Sequence, residues 1–304
     1  MATWCAIGPI IDYYDQADQL AAPLDLGGGV SFVEMPNWAR SDAALELLSW
    51  TKRTRLQKSC RFAFMTQYEA TALGTPDPDW EGPEPRSIQD RVTERLTLAN
   101  MAIWLARPTP IPVEVVLHFD RPGDETRMRQ SSTYDGLLTH DRDRGNQLSM
   151  QDLSFAKQLN EGFLSLTRGG TIWMATRLIW KALQERMWEV RFLLHWIAME
   201  ALFGSANPQE TTFRLSQRAA FFLAESRGQA REIFDIAKDG YAWRSKTVHG
   251  VRLSNLTPAM SLELSYQVQD LLAKTLRRAL TDSRLASQLD SNEREDFLDG
   301  LIFS

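Results

Sequence analysis

The residues best equipped for chemistry in this chain gather at one helix end, in Arg244-Ser245-Lys246-Thr247-Val248-His249-Gly250. A guanidinium clamps a phosphate through paired N–H donors, and an imidazole exchanges protons near neutral pH. On a helix, five residues correspond to about 7.5 Å of rise and about 140° of rotation. Arg244 and His249 therefore straddle the helix end, where the longer side chain can bend toward the phosphate the imidazole serves. The helix C-terminus favours the imidazolium, and Arg244 opposes it. A histidine in this place also serves as a plain C-cap, and that reading stands beside the catalytic one.

Two further charges fall where periodicity places apolar faces. Glu200 has Trp196, Ile197, Phe203 and Gly204 as helical neighbours, and Arg218 has Leu215, Phe221 and Phe222 within one turn. Arg244 closes a helix whose inner stripe includes Ile233, Ile236, Ala237 and Tyr241. An unpaired buried charge costs several kcal/mol, so one carboxylate and two guanidiniums in such settings predict mutual pairing. Glu200 is expected to hold Arg218 or Arg244. The pair is either a packing feature or the support of a site, and spacing alone leaves both open.

The elements that carry these residues are predicted helices. One pattern runs from about 171 to 203 and stops at Gly204, with Asn207-Pro208 marking the next turn. Thr211 or Thr212 caps a helix to about 225, and another runs from about 229 to 249. Thr257-Pro258 supplies an N-cap and a proline at N1, ahead of the stripe Leu264, Val268, Leu271, Leu272, Thr275 and Leu276. Four or five helices with short connections predict an all-α bundle over 150–304. Before it, apolar runs at 4–11, 29–34, 61–68 and 113–119 read as strands. Residues 41–57 and 87–106 have helical spacing, the latter through Ile88, Val92, Leu96, Ala99 and Ile103. Residues 1–149 are thus expected to form an α+β domain, joined to the bundle by the polar run 140–147.

Charge follows the same division. Residues 1–149 carry 15 basic and 21 acidic side chains, residues 150–281 carry 17 and 12, and the tail 282–304 carries 2 and 6. The net charge of −5 excludes a uniformly basic coat, so any nucleic acid must meet a local patch. One such patch is 52–61, where Lys52, Arg53, Arg55, Lys58 and Arg61 cluster, either as a solvated helix end or as an RNA-backbone contact. Arg53, Arg55 and Lys246 are the candidate RNA contacts. Gly27-Gly28-Gly29 is a turn rather than a phosphate loop, lacking the lysine of a Walker motif. Cys5 and Cys60 are too few for a four-ligand zinc site or a disulfide framework. His118, His140 and His195 lack partners at ligand spacing, and no cofactor is expected. No apolar run approaches the roughly 18–20 residues of a membrane span, and the N-terminus lacks a basic leader, so a cytoplasmic protein is expected.

The segment 244–250 resembles the R-x4–6-H motif of HEPN ribonuclease domains, in the R-S-x-x-V-H-G form of the ApeA-like branch. Trp196-Ile197-Ala198-Met199-Glu200-Ala201-Leu202-Phe203 is similar to that branch's acidic LEALF helix. Leu215-Ser216-Gln217-Arg218-Ala219-Ala220 is similar to its lsxRaA helix, and Tyr241-Ala242-Trp243-Arg244-Ser245 to the start of its YxxRSxxVHG motif. The four landmarks occur in order, across roughly 155–285. The resemblance implies a helical bundle that homodimerises and joins two motifs in a composite cleft. It implies a metal-independent endoribonuclease that leaves 2′,3′-cyclic phosphate and 5′-hydroxyl ends, in bacterial defence against phage. Arg244 and His249 are then catalytic, with Glu200, Arg218, Ser245 and Tyr241 in support. One departure is Val251, where HEPN toxins paired with nucleotidyltransferase antitoxins carry a tyrosine, so that modification is not available here. Residues 1–149 would sense a trigger or restrain activity. The rival expectation is a non-catalytic HEPN module that binds nucleotide or protein and dimerises.

Overall fold

Strand β1 (Ala2–Ile11) is apolar along almost its whole length because it lies inside a sheet covered on both faces. The computed structural model describes residues 1–11, 13, 20–82, 84–109, 111–120, 126–133, 147–205, 211–249 and 256–303. The other strands are β2 (Leu24–Asp25), β3 (Ser31–Glu34), β4 (Cys60–Ala70), β5 (Val115–Asp120) and β6 (Arg127–Thr133). Their order is β2-β3-β4-β1-β5-β6, with every pairing antiparallel. On one face Cys5, Ile7, Ala63, Leu117 and Phe119 pack with Leu45, Leu48 and with Leu56 of α1 (Trp50–Ser59). On the other lies α2 (Ile88–Ala106), opened by a reciprocal capping box between Ser87 and Asp90. It buries Ile88, Val92, Leu96, Ala99 and Ile103, the stripe its spacing predicted.

All four apolar runs form strands, whereas the helix expected over 41–57 starts only at Trp50. Before it, residues 41–48 form turns, in which the Ser41 hydroxyl donates to the Trp38 carbonyl and accepts from the Ala44 N–H. Between β2 and β3, Gly27, Gly28 and Gly29 take φ values of 82°, 61° and 75°. Three successive left-handed residues are a conformation that glycine adopts at little cost.

The division expected at 149/150 lies instead between Leu164 and Ser165. Helix α3 (Met150–Ser165), expected to open the bundle, packs with the first unit. Buried Asn160 donates through Nδ2 to the carbonyls of Leu26 (2.9 Å) and Gly27 (3.3 Å), and Lys157 Nζ sits 2.7 Å from Asp25. A change of charge along the chain does not register such contacts. Of the expected linker, 140–146 lies outside the described residues.

The second unit, Ser165–Ser304, is helical: α4 (Thr171–Gln184), α5 (Trp188–Phe203), α6 (Thr211–Leu223), α7 (Arg227–Val248), α8 (Pro258–Thr281), α9 (Ser283–Leu289) and α10 (Arg294–Gly300). The single run expected from 171 to 203 is broken at residues 185–187, which contain neither Gly nor Pro. There the Glu185 carboxylate accepts the Met187 N–H at 2.8 Å, and α5 folds back along α4. Thr257 caps α8 through the Met260 N–H with Pro258 at N1. The chain is therefore an antiparallel sheet unit followed by a helical one. Among the described residues no helix is long and apolar enough to cross a membrane.

Candidate functional site

The pairing required of Glu200 is settled by a glycine. Along α7 the inner stripe runs through buried Ile233, Ala237 and Gly240. A Cβ on Gly240 would stand 2.6 Å from Cζ2 of Trp196, so only glycine lets α7 lie this close to α5. The Trp196 indole then meets the Tyr241 ring edge-on, with centroids 5.5 Å apart at 89°. One turn further along each helix, Arg244 reaches Glu200. Its Nη2 lies 2.9 Å from Oε1 and 3.0 Å from Oε2 of that carboxylate.

Tyr241 supports the pair from below. Its ring centroid lies 5.5 Å from the Arg244 guanidinium carbon, within cation–π range. Its ionisation is pushed above the ordinary tyrosine value, first by burial and then by the Glu200 charge. The side chains of Arg244 and Glu200 remain 24% and 26% exposed. Arg244 Nε is buried and makes no hydrogen bond among the described residues. The result is a side chain anchored through one guanidinium nitrogen, with about a quarter of its surface still in water.

His249 ends the helix. Its backbone N–H bonds the Ser245 carbonyl at 3.1 Å, and its side chain is exposed. It is thus a C-cap in fact, and its imidazole also faces water. Ser245 is half-buried and enters this arrangement through its carbonyl. Lys246 lays its Nζ 4.2 Å above the Trp243 ring. Gly250 and Val251 lie outside the described residues.

Arg218 does not join this group. It is fully buried and forks onto Asp299, with Nε to Oδ1 at 2.7 Å and Nη2 to Oδ2 at 3.0 Å; a second carboxylate, Glu295, lies 3.1 Å from Nη2. Its Nη1 donates to the carbonyls of Phe203 (3.4 Å) and Gly204 (3.0 Å). Of the two partners offered to Glu200, the fold gives it Arg244. The acidic residues of α10 were missed as partners, although the excess of carboxylates over 282–304 beside a basic helical region was a usable signal.

The first-unit candidates are tied to their neighbours. Arg53 lies 3.7 Å from Asp42 and donates to the carbonyls of Glu46 and Leu48, and Arg55 pairs with Glu114 at 3.0 Å. His118 is a core histidine, bonded to the Tyr68 hydroxyl at 3.0 Å and to Thr93 at 3.1 Å, and burial pushes its proton affinity down to about 4. His195 is buried on α5, while His140 lies outside the described residues. Among the described residues no group of three His, Cys, Asp or Glu is placed to hold a metal ion.

The outer face of α5 is apolar as well. Ile197 is 43% exposed and Val190 36%, with Leu193, Leu194 and Ala201 half-buried beside them. Spaced at i, i+3, i+4, i+7 and i+11, these residues form one stripe bordering Glu200. Comparison with family models, curated proteins and solved structures finds no match for this chain.

Proposed function

We propose that the helical unit is a metal-independent endoribonuclease of the HEPN type, acting as a homodimer in bacterial defence against phage. One observation carries the reading: an oriented, partly exposed Arg244 side chain, on the same helix end that turns the His249 imidazole to water. The reaction asks for those two groups. The ribose 2′-oxygen attacks phosphorus as its proton leaves to a base, the bond to the 5′-oxygen breaks, and an acid protonates that oxygen. Arg244 neutralises charge developing on the phosphoryl oxygens, with Glu200 and Tyr241 limiting the orientations it must give up. The one histidine of the motif in each chain serves one proton transfer at a time, so two copies supply acid and base together. The apolar stripe of α5 beside Glu200 supports such pairing.

A second reading draws on the same ion pair. A guanidinium already matched by Glu200 suits a non-catalytic module that binds nucleotide or protein. The full chain incubated with RNA in EDTA separates the two. Catalysis predicts cleavage with cyclic phosphate ends, reduced by about 100-fold or more in His249→Ala and in Arg244→Lys, which keeps charge but loses the fork. Cleavage that requires a divalent ion, or that survives both substitutions, rejects the ribonuclease.

A further inference from the structure

Helix α5 ends on four backbone carbonyls that α-helical geometry leaves without intrahelical partners. Here two arginines, one of them from the C-terminal segment, answer three of the acceptors at that end. Arg294, opening α10, donates through Nη1 to the Ala201 carbonyl. Arg218 of α6 donates to Phe203 and, just past the helix, to Gly204. Two cations therefore stand at the negative end of the α5 dipole, where they are stabilising.

Neither cation is independent of α10. The Arg218 guanidinium, wholly removed from water, depends on Asp299 and Glu295 for its counter-charge. Glu295 also accepts from Ser205 Oγ at 2.6 Å, one residue beyond Gly204. Arg294 bonds Thr171 Oγ1 at 3.1 Å as well, and Asp290 accepts the Ile172 N–H at 2.9 Å, so the same segment grips the start of α4. An unbroken chain of contacts leads from Asp299 through Arg218 to Gly204, whose N–H bonds the Glu200 carbonyl at 2.8 Å. Glu200 is the residue that orients Arg244.

We infer that α10 is a clasp: Asp299, Glu295, Arg218 and Arg294 are positioning residues that fix the last turn of α5, and with it the grip of Glu200 on Arg244. The clasp rests on the ribonuclease reading only for its effect on cleavage. Its carboxylates are one-third exposed, with side-chain exposures of 33% for Glu295 and 34% for Asp299. The C-terminal segment is thus a place where a charge change on the surface reaches the site without touching substrate.

The test compares the full chain with the double variant Glu295→Gln/Asp299→Asn and with Asp299→Glu, which restores the counter-charge. Two properties are read. The first is the spectrophotometric titration of Tyr241, isolated by difference against Tyr241→Phe. The second is RNA cleavage, resolved into kcat and KM. The double variant should titrate Tyr241 closer to an ordinary tyrosine and lose about tenfold or more in kcat, with KM little changed. Asp299→Glu should recover both. A folded double variant with unchanged Tyr241 titration and unchanged kcat overturns the clasp. Should the double variant not fold, Arg294→Gln, which removes the donor to Ala201 and Thr171 and leaves Arg218 with its two carboxylates in place, makes the same comparison with the same two outcomes. A wild-type chain that cleaves no RNA removes the ribonuclease reading, and the Tyr241 titration then decides the clasp alone.

Discussion

Arg218 and Arg244 have the same charge and reach, and both lie on helices that pack against α5, yet their settings differ. Arg218 has no exposed surface and is matched by two carboxylates and two carbonyls. Arg244 keeps a quarter of its side chain in water and one carboxylate partner. A buried cation needs full compensation, whereas a half-solvated one is stabilised only modestly by its ion pair and stays free to meet an anion. Helical spacing alone identified both as charges in need of partners. It left the partners open, because periodicity fixes the direction of a side chain but not what another helix brings opposite it. His118 raises the same issue in the sheet unit. Its neutral ring, wedged between Tyr68 and Thr93, takes a proton only near pH 4, whereas an unfolded histidine does so near 6.5. Above pH 6.5 both states are neutral and the unit keeps its full stability. Between 6.5 and 4 the unfolded chain binds a proton that the native chain refuses, so stability falls as pH drops, by something on the order of 3 kcal/mol. Thermal melts of wild type and His118→Gln across this range should diverge accordingly, the variant losing less on acidification. Parallel curves would remove His118 as the source.

At the scale of elements, the informative helix is α5. Apolar residues surround it, and a helix of that kind ordinarily sits inside a structure. Its inner side does so through Phe192, Trp196, Met199 and Phe203, while Val190 and Ile197 remain exposed. The sequence shows this apolar character but hides the break that makes α5 a separate helix. Residues 185–187 hold no Gly or Pro, and the turn is made by the Glu185 carboxylate closing on the Met187 N–H. The start of α2 was legible by contrast, because Ser87 and Asp90 cap it locally. If the α5 stripe joins two copies, a charge in its middle should part them. Ile197→Asp is expected to shift the full chain from dimer to monomer in sedimentation at micromolar concentration, with the helical content unchanged. A wild type that is already monomeric, or a variant that remains dimeric, places the interface elsewhere or denies it.

At the scale of the whole chain, the two-part organisation followed from composition, and the boundary did not. The shift from an acidic to a basic stretch near residue 150 reports solvent-facing charge, whereas a folding unit is defined by what it buries. Helix α3 buries Leu153, Ala156, Leu159 and Phe163, and Asn160 supplies donors to carbonyls at the β2–β3 turn. Gly28 shows how close this approach is: a Cβ there would lie 2.4 Å from Leu164 Cδ1. Deleting α3 would expose that apolar surface at roughly 25 cal/mol per Å² and leave the Leu26 and Gly27 carbonyls without the Asn160 amide. Two fragments distinguish the boundaries. Residues 1–164 should melt in one cooperative transition, while residues 1–149 should melt at least about 10 °C lower, or without cooperativity, on the scale at which 1 kcal/mol moves a domain of this size by a few degrees. Equal melting temperatures for the two fragments would mean that α3 adds nothing to the sheet unit and that the charge boundary is the structural one.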